Sequence, residues 1–199
     1  LRLEPFIEDA STRYGIDPQL LRALCFLESR YRLDVVSPKG ARGPMQFMPA
    51  TAIKYGLQNP HDPRSAITAA ARYLRDLLRE FNGRTDLAIA AYNAGEGTVE
   101  AFLTGKSLRL SDGKIINPGN VRTGGIPPYP ETKQYVRAAL TLLAIKPESA
   151  RIKSLVPTRD RESSRRFTDR DFTLDVSMNE ISPPQRSKEK ASSSFIDIQ

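Results

Sequence analysis

The sequence predicts a mainly α-helical fold with long loops, followed by a polar C-terminal tail. Three observations carry this. Up to Lys146, apolar residues recur at helical spacing in one segment after another, with start and stop signals such as Asp17-Pro18 and Gly83 at their ends. Between these segments lie Gly/Pro-rich stretches, the longest from Gly105 to Pro130. After Lys146 the composition turns to Ser, Arg, Asp and Pro, with basic and acidic residues interleaved and nearly balanced. The expected organisation is one packed helical domain over 1–146 and a linker or disordered tail over 147–199.

Leu3 to Tyr14 reads as a first helix, broken at Gly15. The second runs from Pro18 to about Tyr31. Asp17 can accept from free backbone N–H groups there, and Pro18 suits the first turn. Ser65 to Asn82 repeats Ile67, Ala70, Ala71, Leu74, Leu77, Leu78 and Phe81, and Gly83 ends it. Asp86 to Asn93 is short and Ala-rich, and Glu96 to Leu103 follows it. Thr132 to Ile145, with Tyr135, Val136, Ala139, Leu140 and Leu143 on its apolar face, closes the set. The 26-residue stretch from Gly105 to Pro130 has no helical period, a length at which loops are functional or disordered.

Bulk properties narrow the function. Of the 199 residues, 39% are hydrophobic: enough for a core, but low for the whole length, as expected if part of the chain is unpacked. No apolar run reaches the ~20 residues that span a bilayer. No basic-then-apolar signal opens the chain; beginning at Leu1 rather than Met, it is expected to be a processed form whose export signal has been removed. The single cysteine, Cys25, excludes an internal disulfide and reads as a packed thiol. The one histidine, His61, sits before Asp62-Pro63 in a turn, so neither a Cys–His pair nor a metal site is expected. No cofactor is implied. The net charge of +7 suits an acidic polymer as partner. A nucleic-acid binder would need a basic stripe with interleaved aromatics, which is absent.

Glu28 stands out. Leu20, Leu21, Leu24, Cys25, Leu27 and Tyr31 form one stripe of the second helix, and Glu28 falls inside it, while Gln19, Arg22, Ser29 and Arg30 take the other side. An ionised Glu is almost never fully buried without a partner. Desolvation raises its pKa and keeps it protonated towards neutral pH, as a general acid requires. A Glu paired with a buried Arg or a helix terminus would occupy the same position, and position alone leaves both readings open. Three further segments accompany it. Ser37 to Gln46 packs two glycines and two prolines into ten residues before Phe47-Met48-Pro49-Ala50-Thr51-Ala52, and Gln46 offers both a donor and an acceptor. Ala91-Tyr92-Asn93-Ala94-Gly95 ends a helix with an aromatic and an amide, the groups that sugars stack on and hydrogen-bond to. Tyr135 puts a hydroxyl that wants a partner on an apolar helix face. Taken singly, each also reads as a turn, a helix cap or a core residue.

Together and in this order they resemble the goose-type lysozyme-like domain of the lytic transglycosylases, over roughly Leu3 to Leu143. The matching signatures are Glu28-Ser29, Gly43-Pro44-Met45-Gln46 with Met48-Pro49-Ala50-Thr51-Ala52, Tyr73-Leu74, Ala91-Tyr92-Asn93-Ala94-Gly95, and Pro130-Glu131-Thr132 with Tyr135-Val136. Pro44 stands where the family usually has Leu, Arg32-Leu33 where Asn-Pro is common, and Ala70 where a helical Gly is frequent. The resemblance implies peptidoglycan glycan strands as substrate and a location in the periplasm or cell envelope. It also leaves room for an envelope-machine partner acting through the tail.

The resemblance further implies a single-carboxylate mechanism. Ordinary glycosidases use two carboxylates, and the matched motifs supply only Glu28; Asp34 lies in a departing loop. In the family the substrate's own N-acetyl group assists. Glu28 would protonate the glycosidic oxygen of the MurNAc-β-1,4-GlcNAc bond and then take the proton from the muramic C6 hydroxyl, leaving a 1,6-anhydro sugar. By the same resemblance Ser29 and Tyr135 orient Glu28 and the acetamido group, and Met45, Gln46, Tyr92 and Asn93 line the sugar subsites. Two other readings stand beside it: a goose-type lysozyme-like hydrolase with water as acceptor, and a non-catalytic glycan-binding module. A module without activity has no reason to keep the cost of Glu28.

Overall fold

The structure, a computed structural model, describes residues 3–144. The expected boundary at 146/147 and the tail beyond it lie outside the described residues. Seven helices and one short hairpin follow in order: α1 Glu4–Tyr14, α2 Pro18–Ser29, α3 Pro49–Lys54, α4 Pro63–Glu80, α5 Thr85–Ala94, α6 Glu96–Thr104, β1 Leu108–Arg109, β2 Ile115–Ile116 and α7 Pro130–Ala144. The helical class is as the periodicity predicts.

The start signals act locally. The Asp17 carboxylate accepts from the Gln19 N–H at 2.8 Å, and Asp62 accepts from Ser65 N–H at 2.8 Å, each ahead of a proline in the first turn. Helix α5 forms the middle of the core. Ala88, Ile89, Ala90 and Ala91 are all fully buried, so this helix is apolar all round rather than along one stripe. Its small residues let α4, α6 and α7 approach closely. Helix α4 faces it with Ala66, Ile67, Ala70, Ala71, Leu74 and Leu77, all buried. Helix α1 packs on α4 and on α2, and α2 packs on α7. Arg22, on the outer side of α2, pairs with Glu4 and Glu8 of α1.

Four expectations are corrected. Helix α3 is not among the helices that the periodicity predicts: it is six residues long, buries only Ala52, and so carries no apolar period. Gly105 to Pro130 is not featureless. Leu108 pairs with Ile116 and Arg109 with Ile115, antiparallel, and Ile116 packs with Leu108, Ala101 and Phe102. Asn117, buried and in the left-handed region at φ +51°, holds the stretch that follows. Its amide donates to the carbonyls of Ala101, Lys106 and Val121 and accepts from Val121 N–H. Two-residue strands are too short to show alternation. Leu140, expected on the apolar face of α7, is 41% exposed, in an open depression that it lines with Ile126 and Val136. Ser29, placed on the polar side of α2, is buried; its hydroxyl donates to the Cys25 carbonyl one turn back, which removes the cost of burying it.

Gly43 fixes how the 37–46 loop meets the rest of the domain. Its φ is +76°, its N–H donates to Val35 O at 2.9 Å, and a Cβ at this position would lie 1.7 Å from the Pro60 carbonyl oxygen. Backbone stands on both sides of that clash. Gly43→Ala is therefore expected to destabilise the domain by at least about 2 kcal/mol, combining left-handed strain with displacement of the loop. Thermal unfolding of the variant against the parent checks this; an unchanged midpoint would contradict the packing described.

Candidate active site

Helix α2 delivers Glu28 one residue before it ends. Asp17 starts the helix, Leu20, Leu21, Leu24 and Cys25 bury its inner face, and the chain then turns sharply. Arg30 and Tyr31 both adopt positive φ, at +53° and +61°. Such backbone costs roughly 1–2 kcal/mol per non-glycine residue. Its supports are local: Arg30 N–H donates to Phe26 O, Arg32 Nε to Ser29 O and the Tyr31 hydroxyl to Arg22 O. Apart from three asparagines, which tolerate this region well, the other non-glycine residue with positive φ is Gln46, at +48°. Strain in the described residues thus concentrates at Arg30, Tyr31 and Gln46, in the two segments that carry the candidate residues.

The partner of Glu28 is a phenol. Tyr135 on α7 donates its hydroxyl to Glu28 Oε1 at 2.5 Å. Among the described residues Glu28 forms no ion pair, and Arg22 is committed to α1 on the far side of the helix. The bland alternative of a Glu neutralised by a buried Arg is therefore not what the fold builds. Burial pushes the Glu28 carboxyl up to about 7; the Tyr135 hydrogen bond pulls it down, and the charge of Glu131 in the first turn of α7 pushes it up. Burial first, and then the Glu28 charge, raise the Tyr135 hydroxyl well above its ordinary value, so it stays a donor.

The 43–46 turn is held beside α2 by its carbonyls. Tyr92, half-buried on α5, donates its hydroxyl to Met45 O at 3.0 Å, and the Cys25 thiol lies 3.7 Å from Pro44 O. Burial pushes Cys25 up to about 12, so it remains a neutral thiol. The Gln46 amide nitrogen donates to Val35 O and Gly43 O, closing its own loop. The Tyr92 ring stacks on Tyr73 at 5.2 Å, and Tyr73 on Tyr55 at 5.1 Å. On α5, Asn93 accepts at Oδ1 from the Thr132 hydroxyl of α7 at 2.9 Å.

Five of the seven predicted residues pair across elements: Glu28 with Tyr135, Tyr92 with Met45, and Asn93 with Thr132, which the sequence reading does not single out. Three orientations differ from expectation. Ser29 turns to its own helix rather than to Glu28. Met45 as a whole is 1% exposed and belongs to the core, and its carbonyl is taken by Tyr92. Tyr92 spends its ring on Tyr73 and its hydroxyl on Met45, which makes it a strut for the turn rather than a free platform. Sequence reasoning assigned no part to Glu131 or Thr132. Their signal was the Pro130-Glu131-Thr132 match ahead of Tyr135, which marks the helix start and not which partner each side chain finds.

The raised Glu28 value has a sign for stability. An unfolded chain releases this proton near 4.5, whereas the folded chain holds it to about 7. Glu28 is neutral in both states below about 4.5, so no penalty operates there; the penalty grows as pH rises and is complete above about 7. Glu28→Gln is therefore expected to gain about 1–3 kcal/mol over the parent at pH 8 and little at pH 4. Tyr135→Phe, which removes the hydrogen bond that favours the carboxylate, is expected to move the Glu28 titration higher still. Unfolding curves across pH, with carboxyl-carbon NMR of Glu28, measure both; a Glu28 midpoint near 4.5 would refute this account.

Comparison with known proteins identifies the family of the domain. The family model for the transglycosylase SLT domain matches residues 5–107. The chain is 37% identical over 105 residues to membrane-bound lytic murein transglycosylase F 1 of Alkalilimnicola ehrlichii, covering 50% of this chain and 21% of that protein. It is 34% identical over 148 residues to membrane-bound lytic murein transglycosylase F of Alcanivorax borkumensis, covering 71% and 28%. Among solved structures, an inactive glutamate-to-glutamine mutant of the lytic transglycosylase Slt from Pseudomonas aeruginosa superposes with a TM-score of 0.54 at 29% identity, covering 69% of this chain and 22% of that one. The 70-kDa soluble lytic transglycosylase of Escherichia coli gives 0.52 at 27%, covering 68% and 23%. The chain thus spans between a fifth and a third of the length of these relatives. In sequence over residues 5–107 and in fold, the chain belongs to the transglycosylase SLT domain family.

Proposed function

We propose that this chain is a peptidoglycan lytic transglycosylase domain that cleaves the MurNAc-β-1,4-GlcNAc bond and leaves a 1,6-anhydro muramic end. The observation that carries this is one carboxyl, Glu28, without a cationic partner, pushed up to about 7 and gripped by Tyr135. A group titrating there is well matched to donating and accepting a proton near neutral pH. Glu28 first protonates the glycosidic oxygen as the C1–O bond breaks, with the substrate's acetamido group assisting from the sugar itself. The resulting carboxylate accepts the Tyr135 hydrogen bond, then takes the proton of the C6 hydroxyl as its oxygen bonds to C1. No water is consumed. Holding C6–OH and C1 within one sugar makes the second step intramolecular, a source of several kcal/mol. Tyr135 orients the carboxyl, while Gln46 and Asn93 flank the glycan and the buried Met45, braced by Tyr92, supports the turn behind them.

The names of the relatives support the substrate: several are lytic murein transglycosylases, and one solved relative is a complex of the 70-kDa soluble lytic transglycosylase with bulgecin A. An inactive Glu-to-Gln mutant among the relatives supports a lone essential carboxyl. Their membrane-bound names favour a cell-envelope location, here the periplasm; among the described residues no helix is long and apolar enough to cross a membrane. The same reading places the catalytic domain in 1–146 and gives 147–199 to contacts with an envelope partner.

Glu28→Gln is expected to lower cleavage of purified peptidoglycan by at least about 10²-fold while the fold survives. Mass spectrometry of the muropeptides released by the parent should find 1,6-anhydro ends, one water lighter than hydrolytic products. Reducing-end muramic acid would make the enzyme a hydrolase, and undiminished clearing of cell walls by Glu28→Gln would remove the carboxyl from the chemistry. Deletion of 147–199 is expected to leave activity on soluble glycan fragments largely intact; loss of folding would assign the tail to the domain.

A further inference from the structure

Several hydroxyls in these helices bond back along their own helix, while that of Ser11, buried in α1, has no partner among the described residues. Ser29 donates to Cys25 O, Thr104 to Glu100 O and Thr141 to Arg137 O, each the carbonyl four residues back in its own helix. Thr132 departs from the pattern. It lies in the first turn of α7, where the residue four back, Pro128, precedes the helix. Its hydroxyl instead donates across the helix interface to Asn93 Oδ1 at 2.9 Å, and the residue is only 3% exposed. A primary amide has one carbonyl acceptor and two N–H donors. With the carbonyl engaged by Thr132, the amide plane is set and its nitrogen is turned away from α7. Among the described residues that nitrogen makes no hydrogen bond, and Asn93 is partly exposed. Tyr135, which holds Glu28, stands three residues further along α7, on the same side of the helix.

We propose that Thr132 is a positioning residue for Asn93: it selects the amide orientation that presents two N–H donors to an acceptor oxygen of the bound glycan. The site so formed accepts a sugar hydroxyl or acetamido oxygen and disfavours a donor-only group at the same place. One helix then sets both halves of the site, the proton-carrying carboxyl through Tyr135 and the sugar-binding amide through Thr132. This rests on the transglycosylase reading of Glu28, and the two separate in the test.

Kinetics on soluble glycan fragments, read as anhydro-product formation, test it. Thr132→Val keeps the shape and removes the donor. KM is expected to rise about fivefold to tenfold, with kcat and the pH midpoint set by Glu28 unchanged. Thr132→Ser should return KM to within about twofold of the parent, and in an Asn93→Ala background Thr132→Val should add no further loss. An equal loss in both backgrounds, a fall in kcat alone, or no rescue by Ser would reduce Thr132 to a packing residue and overturn the proposal. Should Thr132→Val not fold, the parent protein decides. The side-chain NH₂ resonances of Asn93 should shift on adding a GlcNAc–MurNAc fragment, and resonances that stay put overturn the proposal. Parent enzyme that forms no anhydro product refutes the proposed function, whereas an active parent with additive losses refutes only the part given to Thr132.

Discussion

The hydrogen bond from Tyr135 to Glu28 ties the second helix to the last across 107 residues of chain, and the site is organised around it. A carboxyl on an apolar helix flank is costly wherever it goes. A cation would remove that cost but would also pull the pKa down and leave the group ionised at neutral pH. A phenol that remains protonated does something different. It gives the carboxyl one donor, fixes its plane, and opposes only part of the upward push from burial. Helix α7 has to dock in one register for this to happen, and the packing of Val136 and Ala139 into the core secures that register.

The second half of the site is built from backbone. Cys25 of α2 and Tyr92 of α5 face the carbonyls of Pro44 and Met45, and Gln46 folds its amide back on Gly43 and Val35. The turn is thereby held from both sides and from within. Gly43 lets it lie against Pro60, and the strained Gln46 sits at its end. Behind it the Tyr55–Tyr73–Tyr92 stack carries the support through to α4.

Much of this could be read from the chain because the relevant signals are local. Helices α1, α2, α4, α5, α6 and α7 have long apolar periods and marked ends, and Glu28 interrupts such a period. Helix α3 and the β1–β2 hairpin were missed because their stability comes from outside: Ala52, Tyr55 and Leu57 against the main core, and Asn117 bonding to carbonyls as far away as Ala101. Side-chain direction was legible only in part. Periodicity put Tyr135 on a buried face but could not say that Glu28 awaited it there. It put Ser29 on the wrong side, because a hydroxyl satisfied within its own helix can be buried as readily as an alanine. The resemblance puts Met45 and Tyr92 along the sugar subsites, whereas Met45 is buried in the core and the Tyr92 hydroxyl donates to its carbonyl.

The long separation between Glu28 and Tyr135 also bears on how the protein is made. A ribosome adds residues at about 5–20 per second, and N-terminal elements emerge first. For the several seconds in which α2 exists without α7, Glu28 has no phenol above it and no α7 packed beside it. In an unpacked chain this carboxyl titrates near its ordinary value of 4.5 and is charged at neutral pH. The proton that the finished domain keeps to about pH 7 is acquired only when α7 closes over α2. The competence to handle a proton is thus a property of the packed pair of helices and not of α2 alone.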